Sequence, residues 1–122
     1  MRPDALLHRL EYGAIALLLA GLAYSQREAL GWPFWLLLVA PDLCGLLPAS
    51  LLGTAPGKGG LPPRGVWLYN LWHTYTLPLA VLGIGAATGT PPWPVLGWLL
   101  HLSVDRVLGY GLRGADGFQG TL

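Results

Sequence analysis

Residues 33–52 read PFWLLLVAPDLCGLLPASLL, and Asp42 is the single charged residue in this stretch of 20. About 20 predominantly apolar residues suffice to cross a hydrocarbon core ~30 Å thick, because a helix rises ~1.5 Å per residue. Three more stretches have a similar length and character, namely 5–24, 66–86 and 93–112. The sequence therefore predicts an all-α protein, a bundle of four transmembrane helices.

The composition fits a surface that faces lipid. Hydrophobic residues make up 53% of the 122 residues and charged residues only 11%, whereas a soluble domain carries about 25% charged residues. We expect residues 1–122 to form a single integral membrane domain. The net charge of +1 excludes a basic surface for nucleic acid. Cys44 is the only cysteine, which excludes an internal disulfide and a cysteine-based metal cluster.

The distribution of lysine and arginine predicts the orientation in the membrane. With four helices, both termini and the Gly/Pro-rich loop 53–64 lie on one side, and the tight turn 87–92 lies on the other. The side of the termini holds Arg2, Arg9, Lys58, Arg64, Arg106 and Arg113. The opposite side holds Arg27 alone. Since basic residues accumulate on the cytoplasmic side, we expect both termini in the cytoplasm.

Several ionisable residues lie inside the predicted helices. Asp42 is near the middle of the second helix, and His73 lies about two turns into the third. His101 and Asp105 are four residues apart, so they share one face of the fourth helix. Glu11 lies about two turns into the first helix. These positions place all five side chains at one depth, in the cytoplasmic half of the bundle.

Such a group of acids within a membrane needs a counter-charge. An aspartate at the centre of a membrane helix costs about 2.5–3.5 kcal/mol on insertion scales. A divalent cation would serve all the acids at once, and carboxylates with imidazoles suit zinc, and also iron or manganese. The candidate ligands are Asp42, His73, His101 and Asp105. The alternative is a metal-free polar core, in which the same side chains form hydrogen bonds between helices.

Five segments together carry a resemblance to a known family. They are RLE at 9–11, APDL at 40–43, YNLWHTY at 69–75, HLSVDRVLGYGL at 101–112 and GF at 117–118. With them the chain resembles the bacterial membrane proteins of the family called domain of unknown function 4260, over nearly its whole length. The resemblance implies a multi-pass protein of the bacterial inner membrane and carries no settled activity.

A weaker resemblance concerns the order of the polar residues. A Pro-Asp pair, a later His-centred segment and a final His with an Asp four residues on are similar to the membrane-bound metal-dependent hydrolases. That resemblance implies metal ligands at Asp42, His73, His101 and Asp105. The second histidine expected near the His-centred segment is absent, and Asn70 is the nearest polar residue.

These observations favour a metal-dependent hydrolase acting on a lipid or other membrane ester. The metal would lower the pKa of a bound water towards ~7. Glu11 is the candidate general base, and Arg106 is placed to hold a substrate phosphate. Tyr69 or Tyr110 could donate a hydrogen bond to the developing oxyanion.

Two other functions fit the same residues. Intramembrane acids and histidines also mark proton or ion conduits, or a partner subunit of a larger complex. A non-haem iron oxidoreductase is a further alternative, although such enzymes tend to contain more than three histidines. The expected partner is membrane lipid, and the glycine pairs 83/85 and 109/111 are compatible with a homo-oligomer.

Overall fold

The computed structural model describes residues 2–120, which contain helices and no β-strand apart from an isolated bridge between Arg113 and Gln119. The helices are α1 (Pro3–Ser25), α2 (Gly31–Ser50), α3 (Val66–His73), α4 (Thr76–Ala87) and α5 (Leu96–Leu108). The predicted all-α class is confirmed.

The helices α1 and α2 are long and apolar enough to cross a membrane. α1 begins with Pro3 and Asp4, which suit the first turn of a helix because of the fixed φ of proline and the helix dipole. Most of its leucines are exposed, among them Leu7 at 60% and Leu17 at 76%. Soluble monomers rarely expose continuous apolar surface of this kind. The exterior of α1 therefore agrees with association with a membrane.

Asp42 lies in a π-helical turn, Pro41–Leu46, inside α2. Pro41 has no N–H for the usual bond to the carbonyl four residues earlier, and the wider turn accommodates it. Gly45 in the same turn lies against α3, where an added Cβ would be 2.8 Å from the Cβ of Trp72. The π turn thus holds the carboxylate of Asp42 on the side of α2 that meets α3.

The predicted continuous helix over 66–86 is wrong, because the chain breaks between α3 and α4. Thr74 is extended, with φ −94° and ψ 144°, and its Oγ1 accepts a hydrogen bond from the N–H of Thr76 at 3.3 Å. Pro78 explains the break, since it cannot donate to the carbonyl of Thr74 and its ring would clash with that carbonyl in a helix. The break leaves His73 at the carboxyl end of α3.

The last helix also differs from the prediction, which ran over 93–112. Trp93–Val95 form a 3-10 turn, and α5 ends at Leu108. Gly109 has φ +96°, and the N–H of Tyr110 donates to the carbonyl of Asp105 at 2.8 Å. This left-handed glycine with a returning hydrogen bond is the usual Schellman ending of a helix. Residues 109–120 are therefore free to fold back over the end of α5.

α5 packs against both α1 and α2, and two small cores flank the polar level of the bundle. One core contains Ala23, Phe34, Val95, Leu96 and Leu99, and the other contains Ala49, Leu61 and Tyr69. Gly97 lets α5 approach α2 so closely that a Cβ there would collide with the carbonyl oxygen of Phe34. This approach sets the spacing between the helices that carry Asp42 and His101.

We expect Gly97→Ala to destabilise the protein by about 3 kcal/mol, the upper end of the range for overpacking, because the clash involves backbone rather than a flexible side chain. The matched control is Gly83→Ala, where nothing lies within 4 Å of the added Cβ. Thermal unfolding in detergent measures both. Equal melting temperatures for Gly97→Ala and Gly83→Ala would contradict the close packing of α5 on α2.

Candidate metal centre

The structure brings the four predicted ligands together from three helices. Asp42 comes from α2, His73 from α3, and His101 and Asp105 from α5. Each offers one ligand atom, and the four atoms all lie within 4.8 Å of one another. This group could therefore hold a metal ion.

Four of the six distances between the ligand atoms are close to the edges of a tetrahedral metal site, and the other two are at most 4.8 Å. Nε2 of His73 lies 3.2 Å from Oδ1 of Asp42 and 3.6 Å from Oδ2 of Asp105. Nε2 of His101 lies 3.5 Å and 3.2 Å from the same two oxygens. A tetrahedron with metal–ligand bonds of ~2.0–2.1 Å has edges of roughly 3.3–3.4 Å. The four measured edges scatter around that value.

Main-chain carbonyls fix the orientation of both imidazoles. Nδ1 of His73 lies 2.8 Å from the carbonyl oxygen of Tyr69, and Nδ1 of His101 lies 2.7 Å from that of Leu38. A carbonyl only accepts, so Nδ1 is the donor in both rings. In the neutral rings Nε2 then carries a lone pair directed at the carboxylates. Metal-binding histidines usually make such a hydrogen bond from the ring nitrogen that does not face the metal.

With both rings neutral, four acceptors would face each other in the centre of the group. Nε2 of His101 is buried and has no hydrogen-bond partner within residues 2–120. Two lone pairs opposite two carboxylates need either a cation between them or a proton on each ring. The first solution is the metal site, and the second is the metal-free polar core.

The four side chains differ in exposure. The side chain of His73 is 2% exposed, whereas that of Asp42 is 49% exposed. Those of His101 and Asp105 lie between, at 13% and 21%. Asp42 therefore stands at the mouth of the group, and His73 at its base.

Two cavities that differ in their polar groups border Asp42. The first, of about 600 Å³, is an open apolar groove along α2 that also reaches His101. Its remaining lining residues are Val39, Leu43, Leu46, Leu47 and Ser50. The second, of about 160 Å³, is a smaller pocket that contains Asp105. Its remaining lining residues are Leu46, Tyr69, Tyr110, Arg113 and Gln119. We call them the apolar groove and the polar pocket.

The segment after α5 builds the outer wall of the polar pocket. Asn70 and Arg113 bond reciprocally, the side-chain amide to the main-chain carbonyl at 2.9 Å and the main-chain N–H to the amide oxygen at 2.8 Å. Gln119 donates to the hydroxyl of Tyr69 at 3.2 Å and accepts from the N–H of Gly111 at 2.8 Å. Sequence reasoning missed Arg113 and Gln119. Gly109, a common residue just after a helix end, was the available signal.

The residues predicted for catalysis are only partly at this site. Tyr69 lines the polar pocket, and its ring stacks on His73 with 3.9 Å between centroids. Arg106 instead donates to the carbonyl of His73 at 3.2 Å, at the end of α3, and lines neither cavity. Glu11 is exposed on α1 and is not a member of the cluster. Its role as general base stays a prediction.

Comparison with known proteins gives one match. The family model described as "Domain of unknown function (DUF4260)" matches residues 5–122. No curated protein and no solved structure matches the chain.

Proposed function

We propose that this chain, which belongs to the family of the domain of unknown function 4260, is a membrane-embedded metal-dependent hydrolase. Its substrate would be a lipid or another membrane ester. One observation carries the proposal. A group of four convergent ligand atoms lies where an apolar groove and a polar pocket meet. An ester bond that joins an apolar part to a polar part fits this junction.

The membrane placement belongs to the same proposal. α1 and α2 would cross the bilayer, and α3 with α4 would form a broken third crossing followed by α5. Non-helical backbone at membrane depth is tolerated where it is buried in protein or lines a cavity. The break at Thr74 directly follows His73, at the base of the site. Both termini would lie in the cytoplasm, on the side with six of the seven basic residues.

The side chains divide the chemistry between them. His73, His101, Asp105 and Asp42 would hold a divalent cation, with zinc favoured by the set of imidazole and carboxylate donors. Such a cation lowers the pKa of a bound water and polarises the ester. Asp42 is half exposed beside both cavities, so its carboxylate is the group placed to accept the proton of the attacking water. Tyr69 keeps the ring of His73 in place by stacking on it.

The first test combines metal analysis with ester hydrolysis. We expect the protein purified in detergent without chelator to contain about one zinc, manganese or iron ion per chain, and Asp105→Ala to lose it. Asp4→Ala is the matched control, because Asp4 is an exposed acid that pairs with Arg2, outside the cluster. Hydrolysis of a membrane ester should follow the metal content across the three proteins.

Other outcomes would lead to the alternative functions. A folded wild-type protein without metal would contradict the proposal and favour the metal-free polar core of a proton conduit or partner subunit. Iron with redox activity and no hydrolysis would favour the oxidoreductase.

A further inference from the structure

We infer that the substrate is a phosphate monoester of a long-chain alcohol, with its chain in the apolar groove and its phosphate in the polar pocket beside Arg113. The inference rests on the proposed function and names the substrate class of the same site. It follows from the residues that line the two cavities and from Asp42, the charged residue that lines both of them beside Leu46.

The length and the apolar lining of the groove suit a hydrocarbon chain. It extends along α2 from Val39 to Ser50, about 16 Å at ~1.5 Å per residue. Leu43 and Leu47 form its exposed wall, at 51% and 55%. In the proposed orientation this wall faces the lipid, so a chain can enter sideways from the bilayer. The polar groups within the groove are Ser50 at one end and the pair Asp42 and His101.

The polar pocket offers an arginine with unused donors. Both hydrogen bonds that the guanidinium of Arg113 makes within residues 2–120 come from Nη1, to the carbonyls of Gly59 and Gly117 at 2.9 Å each. Nε is buried and has no partner in that range. The guanidinium carbon lies 4.8 Å from the ring centre of Tyr69, which holds the group in place. A phosphate oxygen would supply the missing acceptor.

The size and charge of the polar pocket limit how an anion can bind there. Its volume of about 160 Å³ is enough for a phosphate. Asp42 and Asp105 also line it and would repel an anion. Phosphate binding therefore requires the cation that neutralises these two acids. Binding of the ester should be strictly dependent on metal.

The reaction that fits this placement is hydrolysis of the ester to an alcohol and inorganic phosphate. The oxygen of water forms a new bond to phosphorus, and the bond from phosphorus to the bridging oxygen breaks. Asp42 takes one proton from the water and returns it to the departing alkoxide, so atoms and charge balance. The alcohol remains in the apolar groove, and the phosphate leaves through the polar pocket.

The test uses dodecyl phosphate as the probe, with zinc-loaded protein in phosphatidylcholine nanodiscs. The proton–nitrogen NMR signal of Nε of Arg113 reports binding, and inorganic phosphate and dodecyl acetate serve as comparison ligands. We expect dodecyl phosphate to shift this signal in the presence of zinc and not after chelation. We also expect dodecyl acetate to leave it unchanged.

Variants separate the two cavities. Arg113→Gln should lower the affinity for dodecyl phosphate by at least about tenfold, with Arg64→Gln as the control for loss of a basic residue. Leu43→Trp should fill the groove and weaken binding of dodecyl phosphate but not of inorganic phosphate. Leu36→Trp is its control, because Leu36 is similarly exposed on α2, at 46%, and does not line the groove.

The outcomes distinguish the inference from the proposed function. An unshifted signal of Arg113 with zinc-loaded protein, or equal binding and cleavage of dodecyl acetate, overturns the inference and leaves a hydrolase of neutral esters. Inorganic phosphate that binds as tightly as dodecyl phosphate, with no effect of Leu43→Trp, overturns the lipid substrate. Tight binding of dodecyl phosphate without hydrolysis of either ester supports the binding site and contradicts the proposed function.

Discussion

Asp42→Asn is expected to lower the rate of ester hydrolysis by about 10²–10⁴-fold while metal remains bound. An asparagine oxygen can still face the metal, and His73, His101 and Asp105 are unchanged. An amide, however, cannot take the proton of the attacking water. Initial rates at saturating zinc, with metal analysis of the same samples, measure the two effects separately.

Asp4→Asn is the matched control for this substitution. It removes an exposed acid whose ion pair is with Arg2, and it should leave both rate and metal content unchanged. A wild-type rate for Asp42→Asn would contradict the role of this carboxylate as proton acceptor. Loss of metal in proportion to the loss of rate would show that Asp42 acts by coordination alone.

Zinc is expected to stabilise the protein by about 2.7 kcal/mol when its free concentration is about 100 times its Kd, because the folded site binds it and the unfolded chain does not. The melting temperature should rise by roughly 2 °C or more for each kcal/mol. The effect should shrink as the pH falls towards 5, since protons compete with the cation for both imidazoles. Melting curves with zinc and with chelator, at two pH values, measure it.

Two histidine substitutions, one in the cluster and one outside it, serve as variants for this experiment. His101→Ala should remove most of the stabilisation by zinc, because it deletes one of the four converging ligands. His8→Ala deletes an exposed histidine on α1 and should retain all of it. Equal stabilisation of both variants, or an undiminished effect at pH 5, would place the zinc elsewhere on the protein.

Sequence alone predicted that Asp42, His73, His101 and Asp105 converge, because the constant rise of a helix relates residue number to depth in the bundle. Asp42 lies in the middle of α2, and His101 with Asp105 occupies one face of α5, so a constant rise per residue places them at one level. The position of His73 along α3 places it at the same level, although α3 ends at this residue. The prediction needed depth and facing only, and both are local properties of the chain.

The polar pocket could not be predicted in this way. Its arginine is held by bonds to Asn70, 43 residues earlier in the chain, and to Gly59, 54 residues earlier. No short sequence pattern predicts hydrogen bonds between residues so far apart in the chain. The prediction of helix over 93–112 also placed residues 109–112 inside a helix and so hid the returning segment. The break after His73 had a local signal, Pro78, which the continuous apolar pattern outweighed.

Both imidazoles are anchored to main-chain oxygens, those of Leu38 and Tyr69. Every amino acid carries that oxygen, so the anchor does not depend on which side chain stands at position 38 or 69. Substitutions at position 38 will therefore report only how the side chain packs, while position 69 also carries the ring that stacks on His73. A saturation scan of the site would accordingly reveal the four clustered side chains and Tyr69, and would miss the main-chain oxygen of Leu38 that orients His101.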